Sequence, residues 1–181
     1  PLLESFPLQR NQTGFLPLTL QKFLGYNSRE ICQKGSDLIN DKFCLLRYGI
    51  QQHDSQSFLS CIAYLFNDTF DLNDIKKELV SNLTLDKFIS VYNGSLVTIF
   101  EKEVEEVEEI DVTKYKENII VKKIKEPRYI KKIISSYENF INYLLDTKTK
   151  INYNYLWDFI CQPKSKNGVL FDKGINMLIF N

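Results

Sequence analysis

A serine, a histidine and an aspartate lie within one short polar segment, and serine hydrolases use this combination of side chains. His53 and Asp54 stand just before Ser57. A nucleophilic hydroxyl needs a base within hydrogen-bond reach and a third group that orients the base. Neighbours in sequence seldom reach that geometry, so we interpret the segment as a polar loop in which Asp54 or Ser55 caps the next helix. We expect no catalytic residue and no enzyme activity.

The cysteines and the histidine are too dispersed to form a metal site. Cys32, Cys44, Cys61 and Cys161 include no C-x-x-C pair, and His53 is the only imidazole. Zinc sites are usually built from closely spaced pairs of such ligands. Two disulfides are possible, but each cysteine lies in or beside an apolar run, as buried thiols commonly do. We therefore predict four reduced cysteines, with no metal and no cofactor.

Charge is balanced overall but separated locally. The chain has 23 basic and 23 acidic residues, yet residues 101–111 are mainly acidic and residues 114–132 mainly basic. The acidic run lacks the fixed ligand spacing of a calcium loop and suits a solvated face. The basic stretch contains Tyr115 and Tyr129, and basic residues interleaved with aromatics suit contacts with phosphates and bases. It is alternatively a solvent-facing helix surface, neutralised by the acidic run. The candidate nucleic-acid-binding residues are Lys122, Lys123, Lys125, Arg128, Lys131 and Lys132.

The elements that would position these residues predict an α+β fold in a single domain. Phe58, Leu59, Ile62, Leu65 and Phe66 recur at helical spacing and predict a central buried helix. A second apolar period predicts a long amphipathic helix from just after Pro127 to Asp146. A small mixed or antiparallel sheet completes the predicted fold.

Shorter elements follow from turn residues and local composition. We expect residues 1–26 to form a docked, extended lead-in with a short helix near 18–24, and residues 101–126 to form a charged arm or insertion. Helices are predicted from Asn73 or Asp74 to Val80, from Thr84 to about Val91, and over 153–161. Strands are predicted over 43–48, over 95–100 and within 169–180.

The chain has the composition of a reduced, intracellular protein. It carries no signal peptide and no long uninterrupted apolar stretch. It begins at Pro1 and ends just after the apolar run 175–180, which we expect to be a buried strand. We interpret residues 1–181 as one domain of a longer protein.

Several stretches resemble the large subunit of the early transcription initiation factor of large cytoplasmic DNA viruses, known from poxviruses, African swine fever virus and giant amoebal viruses. The resemblance spans nearly the whole chain, and for poxviruses mainly the first third. The stretches that carry it are Phe6–Arg10, Gly14–Leu24, Leu45–Gly49, Gln56–Ile62, Ser136–Phe140, Tyr155–Asp158 and Gly174–Asn176.

This resemblance implies a non-catalytic role in viral transcription initiation. The family binds early promoters together with a smaller helicase-like subunit and recruits the viral RNA polymerase. It therefore implies promoter DNA, that subunit and the polymerase as partners, no membrane, and a location in the viral factory of the host cytoplasm and in the virion. The family's preceding C-x-P-C-C segment is absent from this sequence, as expected of an excised domain.

A second resemblance competes with the first. In this sequence Asp54–Phe58 opens a buried helix, and Tyr155–Asp158 and an apolar strand follow late in the chain. This arrangement is similar to the topology of ovarian-tumour-type cysteine hydrolases. Ser57 stands at the position of the nucleophile, and we expect any late histidine to lie beyond Asn181. This likeness implies a pseudoenzyme, an inactive or incomplete hydrolase domain that serves as a protein-interaction scaffold.

Overall fold

The chain divides into two compact units, which are described separately. The computed structural model describes residues 5–27, 31–32, 44–101 and 110–180. The first unit is Pro1–Cys61 and the second is Ile62–Asn181. The predicted α+β class is confirmed, while the prediction of one domain with a lead-in and an inserted arm stays a prediction.

The described residues of the first unit include a small antiparallel sheet and a short helix. Strand β1 (Thr13–Gly14) pairs with β2 (Arg47–Tyr48), so that Thr13 lies opposite Tyr48. Helix α1 (Leu18–Leu24) occupies the predicted position. It ends at Gly25, whose φ of 58° is left-handed and favours glycine. Of the predicted strand over 43–48, Phe43 lies outside the described residues.

The prediction of four thiols is wrong for two of the cysteines. Cys32 and Cys44 form a disulfide, with Cα atoms 5.3 Å apart, while Cys61 and Cys161 are thiols. Sequence spacing alone does not reveal this separation of Cα atoms, which decides whether two cysteines are able to pair.

The predicted central helix is present as α2 (Ser57–Phe66), which spans the boundary between the units. Leu59, Ile62 and Ala63 are buried, whereas Leu65 is 63% exposed. Cys61 is exposed, so the prediction that its thiol is buried is wrong. Four residues is close to one helical turn, so Cys61 lies on the same exposed side as Leu65.

The second unit is built around one long helix. The helices in the described part of this unit that follow α2 are α3 (Leu72–Asn82), α4 (Leu85–Ser90), α5 (Leu96–Ile99), α6 (Ile119–Lys123), α7 (Pro127–Leu145) and α8 (Tyr153–Cys161). The 3-10 helices Tyr92–Gly94 and Val112–Tyr115 connect them. The predicted helices here are confirmed, and α7 packs against α3, α4 and α5 through its apolar stripe.

The strand predicted over Ser95–Phe100 is wrong, because this segment forms α5. The β-branched and aromatic composition favours a strand, but packing on α7 decides the outcome. Ser136 Oγ donates to the Val97 carbonyl at 2.7 Å, and Asn139 Nδ2 donates to the Phe100 carbonyl at 2.9 Å. These bonds satisfy carbonyl oxygens that a short helix leaves without partners.

The strands predicted within 169–180 are also wrong, because no strand forms in this segment. The Val169 N–H donates to the Phe159 carbonyl at 2.8 Å, and the Ile175 N–H donates to the Cys161 carbonyl at 3.1 Å. The segment therefore bonds to the end of α8 and not to a sheet. The run 175–180 is not a buried strand, since Leu178 is 76% exposed. The late strand required by the hydrolase resemblance is thus missing.

No helix in the described ranges is both long enough and apolar enough to cross a membrane.

Candidate nucleic-acid interface

Helix α6, which carries Lys122 and Lys123, is held at its first residues by a side chain from α4. Asp86 Oδ2 accepts a hydrogen bond from the Ile119 N–H at 2.9 Å, and Oδ1 accepts one from the Ile120 N–H at 3.0 Å. Asn118, which precedes the helix, makes no side-chain capping bond. The Asp86 carboxylate therefore replaces the local N-cap and satisfies two N–H groups that the helix leaves open.

Apolar contacts fix the other side of α6. Ile120, Val121 and Ile124 lie with Leu85 and with Ile130 and Ile133 of α7 around a small gap that is too narrow to hold water. Because these side chains face inward, the lysines of the five-residue helix project outward. Lys122 and Lys123 are both exposed.

The start of α7 supplies the rest of the basic set. Pro127 occupies the first turn, where its missing N–H costs nothing. Arg128 and Lys132 are four residues apart and lie opposite the side that buries Ile130 and Ile134. Lys125 and Arg128 are exposed, whereas Lys131 and Lys132 are half-buried. We call the six predicted residues, from Lys122 to Lys132, the basic surface.

Lys122 and Lys132 of the basic surface pair with acidic residues that the structure describes. Lys122 Nζ lies 2.8 Å from Glu117 Oε2, and Lys132 Nζ lies 2.7 Å from Glu101 Oε1. Residues 102–109, which hold most of the predicted acidic run, lie outside the described residues. Neutralisation within the chain thus reaches Lys122 and Lys132 among the described residues.

The described part of the predicted arm belongs to the second unit and packs against α7. Tyr115 is 7% exposed, and its hydroxyl donates to Glu138 Oε1 at 2.8 Å. Burial, and then the bond to Glu138, raise the pKa of this phenol. Tyr115, Glu138 and Lys114 line an open cavity of about 370 Å³ between α3, α7 and the 3-10 helix Val112–Tyr115.

Ser57, the position of the vestigial nucleophile, has a local structural role. Its Oγ donates to the His53 carbonyl at 2.6 Å and accepts from the His53 N–H at 2.8 Å. These two bonds close the predicted polar loop at the start of α2. Among the described residues, no group of three or more His, Cys, Asp or Glu side chains could hold a metal ion.

Asp86 and Glu101 are the site residues that the sequence did not indicate. Asp86 lies 33 residues before the first N–H that it binds. Glu101 is one member of a long acidic run, and no sequence pattern distinguishes it from its neighbours. Only the folded arrangement selects these two carboxylates.

Comparison of the chain with protein-family models, with curated proteins and with solved structures finds no match.

Proposed function

We propose that this chain is a non-catalytic module of a viral early transcription initiation factor, and that it contributes to promoter binding and RNA polymerase recruitment. The observation that carries the proposal is the basic surface, whose exposed members Lys122, Lys123, Lys125 and Arg128 project from two adjacent helices and the turn between them. The family resemblance supplies the biological setting, with the helicase-like subunit, the polymerase and promoter DNA as partners. It also supplies the proposed location in the viral factory and the virion.

Local charge must drive binding, because the chain as a whole has a formal net charge of zero. Lysine and arginine side chains that reach phosphates release counterions from DNA, which makes binding favourable and sensitive to salt. The Lys122–Glu117 pair is well exposed, with side chains 56% and 79% accessible. Exposed pairs contribute about 0–1 kcal/mol, so a phosphate competes readily for Lys122.

The second candidate, an inactive ovarian-tumour-type hydrolase domain, has less support. The late strand of that topology is missing, and Ser57 Oγ bonds to the backbone of His53 on both its donor and acceptor sides. A scaffold role without nucleic-acid contact is the outcome expected if the following experiment gives no binding.

Charge reversal at exposed positions tests the proposal. The variant Lys123→Glu/Lys125→Glu/Arg128→Glu should bind duplex promoter DNA more weakly than the unmodified chain. The slope of log K against log salt should become shallower by about 0.9 for each phosphate that the variant no longer neutralises. Electrophoretic mobility shifts over a salt series measure both effects.

The matched control is Lys148→Glu/Lys166→Glu/Lys173→Glu, which makes the same change in net charge at exposed positions elsewhere. It should retain most of the affinity, and both variants should unfold at nearly the same temperature as the unmodified chain. Equal weakening in the two variants, or no binding by any protein at low salt, would contradict the proposal.

A further inference from the structure

Four aromatic rings meet where the 3-10 helix Tyr92–Gly94, the C-terminal end of α5, and helices α7 and α8 come together. Phe100 lies at the centre, with its ring centroid 5.1 Å from that of Tyr143 and 5.5 Å from that of Tyr155. Tyr155 also contacts Tyr143 at 6.1 Å and Tyr92 at 6.2 Å. Phe140, which is fully buried, lies beneath Phe100 at 5.0 Å. We call Tyr92, Phe100, Tyr143 and Tyr155 the aromatic cluster.

The aromatic cluster is open to solvent. Tyr92 is 44% exposed, and the other three rings are half-buried. Packed aromatic cores normally bury such rings, since they carry large apolar areas. The cluster therefore presents ring surface that the fold leaves uncovered.

The backbone holds Tyr92 in this position at a conformational cost. Tyr92 and Asn93 have φ angles of 51° and 52°, in the left-handed region that bulky residues rarely adopt. The Tyr92 N–H donates to Asp158 Oδ2 at 3.3 Å, and the Gly94 N–H donates to the Val91 carbonyl at 2.9 Å. These contacts hold the backbone at Tyr92 in this conformation.

The aromatic cluster and the basic surface share one side of α7. At 100° per residue, Arg128, Lys132, Asn139 and Tyr143 fall within an arc of about 60°, and they extend along about 22 Å of the helix. Glu101 joins the two regions, because it follows Phe100 directly and pairs with Lys132. Asn139 Nδ2, which donates to the Phe100 carbonyl, fixes the end of α5 on the same side.

We infer that the aromatic cluster and the basic surface together bind single-stranded nucleic acid, an inference that rests on the proposed function and specifies its substrate class. Arg128 and Lys132 contact phosphates, and the rings of Tyr92 and Tyr155 stack on unpaired bases. Proteins that bind single strands commonly combine basic side chains with aromatic stacking surfaces. A duplex conceals its base faces and gains only the phosphate contacts, so the aromatic cluster selects the open strand.

Glu101 lowers the affinity of this surface. Its carboxylate pairs with the Lys132 ammonium in the unbound chain and places a negative charge on the path of the phosphates. Removing that charge leaves Lys132 available for one additional phosphate contact.

The test is binding of fluorescent oligothymidine to the full chain, followed by anisotropy at about 50 mM salt, where phosphate contacts are strong. Stacking is worth about 1–3 kcal/mol per base, so Tyr92→Leu and Tyr155→Leu should each weaken binding by about fivefold or more. The control Tyr64→Leu removes a tyrosine that is 38% exposed on α2 and should leave binding unchanged. Glu101→Gln should strengthen binding. Circular dichroism and thermal unfolding check that each variant is folded.

The outcomes separate the inference from the proposed function. If Lys123→Glu/Lys125→Glu/Arg128→Glu weakens DNA binding while both tyrosine variants bind single strands normally, the inference is wrong and the proposed function stands. Equal affinity for single strand and duplex in the unmodified chain also overturns the inference. If no nucleic acid binds, both fail, and capture of a proline-rich peptide by the aromatic cluster would then identify it as a protein-docking surface.

Discussion

At the scale of single residues, Asp86 connects the stability of the fold to the placement of the basic surface. Asp86→Ala removes both acceptors from the first N–H groups of α6. Loss of a capping side chain costs about 0.5–2 kcal/mol. We expect a decrease of that size in the free energy of unfolding. Compared with the unmodified chain, amide hydrogen exchange should become faster in Ile119–Lys123 and should stay the same in α7.

The control for this prediction is Asp68→Ala, which alters an exposed aspartate in the loop after α2. It should leave both the unfolding free energy and the exchange of α6 unchanged. Unaltered exchange of α6 in Asp86→Ala would show that apolar packing alone positions the helix.

Residue-level features were predictable only where their effect is local. Thr84 caps α4 as its position predicts, with its hydroxyl accepting from the Lys87 N–H at 3.2 Å. Asp86 does the same for α6 across a long stretch of chain, and its sequence context gives no sign of this. The disulfide was missed for the same reason, because pairing depends on a distance that only the fold determines.

At the scale of secondary structure, the start of α3 should make the stability of the chain depend on pH. Asp71 accepts hydrogen bonds from the Asn73 N–H at 2.7 Å and the Asp74 N–H at 2.9 Å. In the folded chain the pKa of Asp71 lies below its ordinary value of 3.8. The hydrogen bond from the Asp74 N–H contributes most to this lowering, and the bond from the Asn73 N–H adds to it. The ionised form therefore favours folding, so this contribution is present above about pH 3.8 and disappears as the pH falls through the lower, folded value.

The variant Asp71→Asn should show this dependence directly. Asparagine caps helices nearly as well as aspartate, so stability at pH 7 should change little. The loss of stability between pH 7 and pH 3, measured by urea unfolding at each pH, should be smaller than in the unmodified chain. An identical loss in both proteins would mean that Asp71 titrates alike in the folded and unfolded states.

The long apolar period of α7 predicted its structure correctly, whereas the short run Ser95–Phe100 was predicted wrongly. The apolar period of α7 runs over nineteen residues, and only a helix fits a period of that length. Over six residues, Ser95–Phe100 fits a strand as well as a helix, and the side chains of Ser136 and Asn139 decide between them. The candidate basic residues were predictable from charge, whereas the aromatic cluster joins residues from Tyr92 to Tyr155 and has no sequence signature.

At the scale of the whole molecule, the second unit contains its own core and the entire proposed binding surface. Ile75, Leu79, Phe88, Ile134 and Phe140 are at most 1% exposed, and all belong to this unit. The basic surface and the aromatic cluster lie within it as well. The disulfide belongs to the first unit, so reduction should act on that unit without removing any residue of the proposed surface.

A fragment of residues 56–181 should therefore fold and bind nucleic acid alone. Beginning at residue 56 keeps all of α2, which starts at Ser57. This helix is needed because its Leu59, Ile62 and Ala63 side chains are buried. Domains with a single apolar core of this size commonly unfold in one cooperative transition. We expect one urea transition that circular dichroism and Trp157 fluorescence follow identically. The affinity for oligothymidine should stay within about twofold of that of the full chain, which is a smaller change than the roughly tenfold that corresponds to 1.4 kcal/mol. A fragment with no cooperative transition would show that the second unit depends on the first, whereas a folded fragment that no longer binds would place part of the binding surface in residues 1–55.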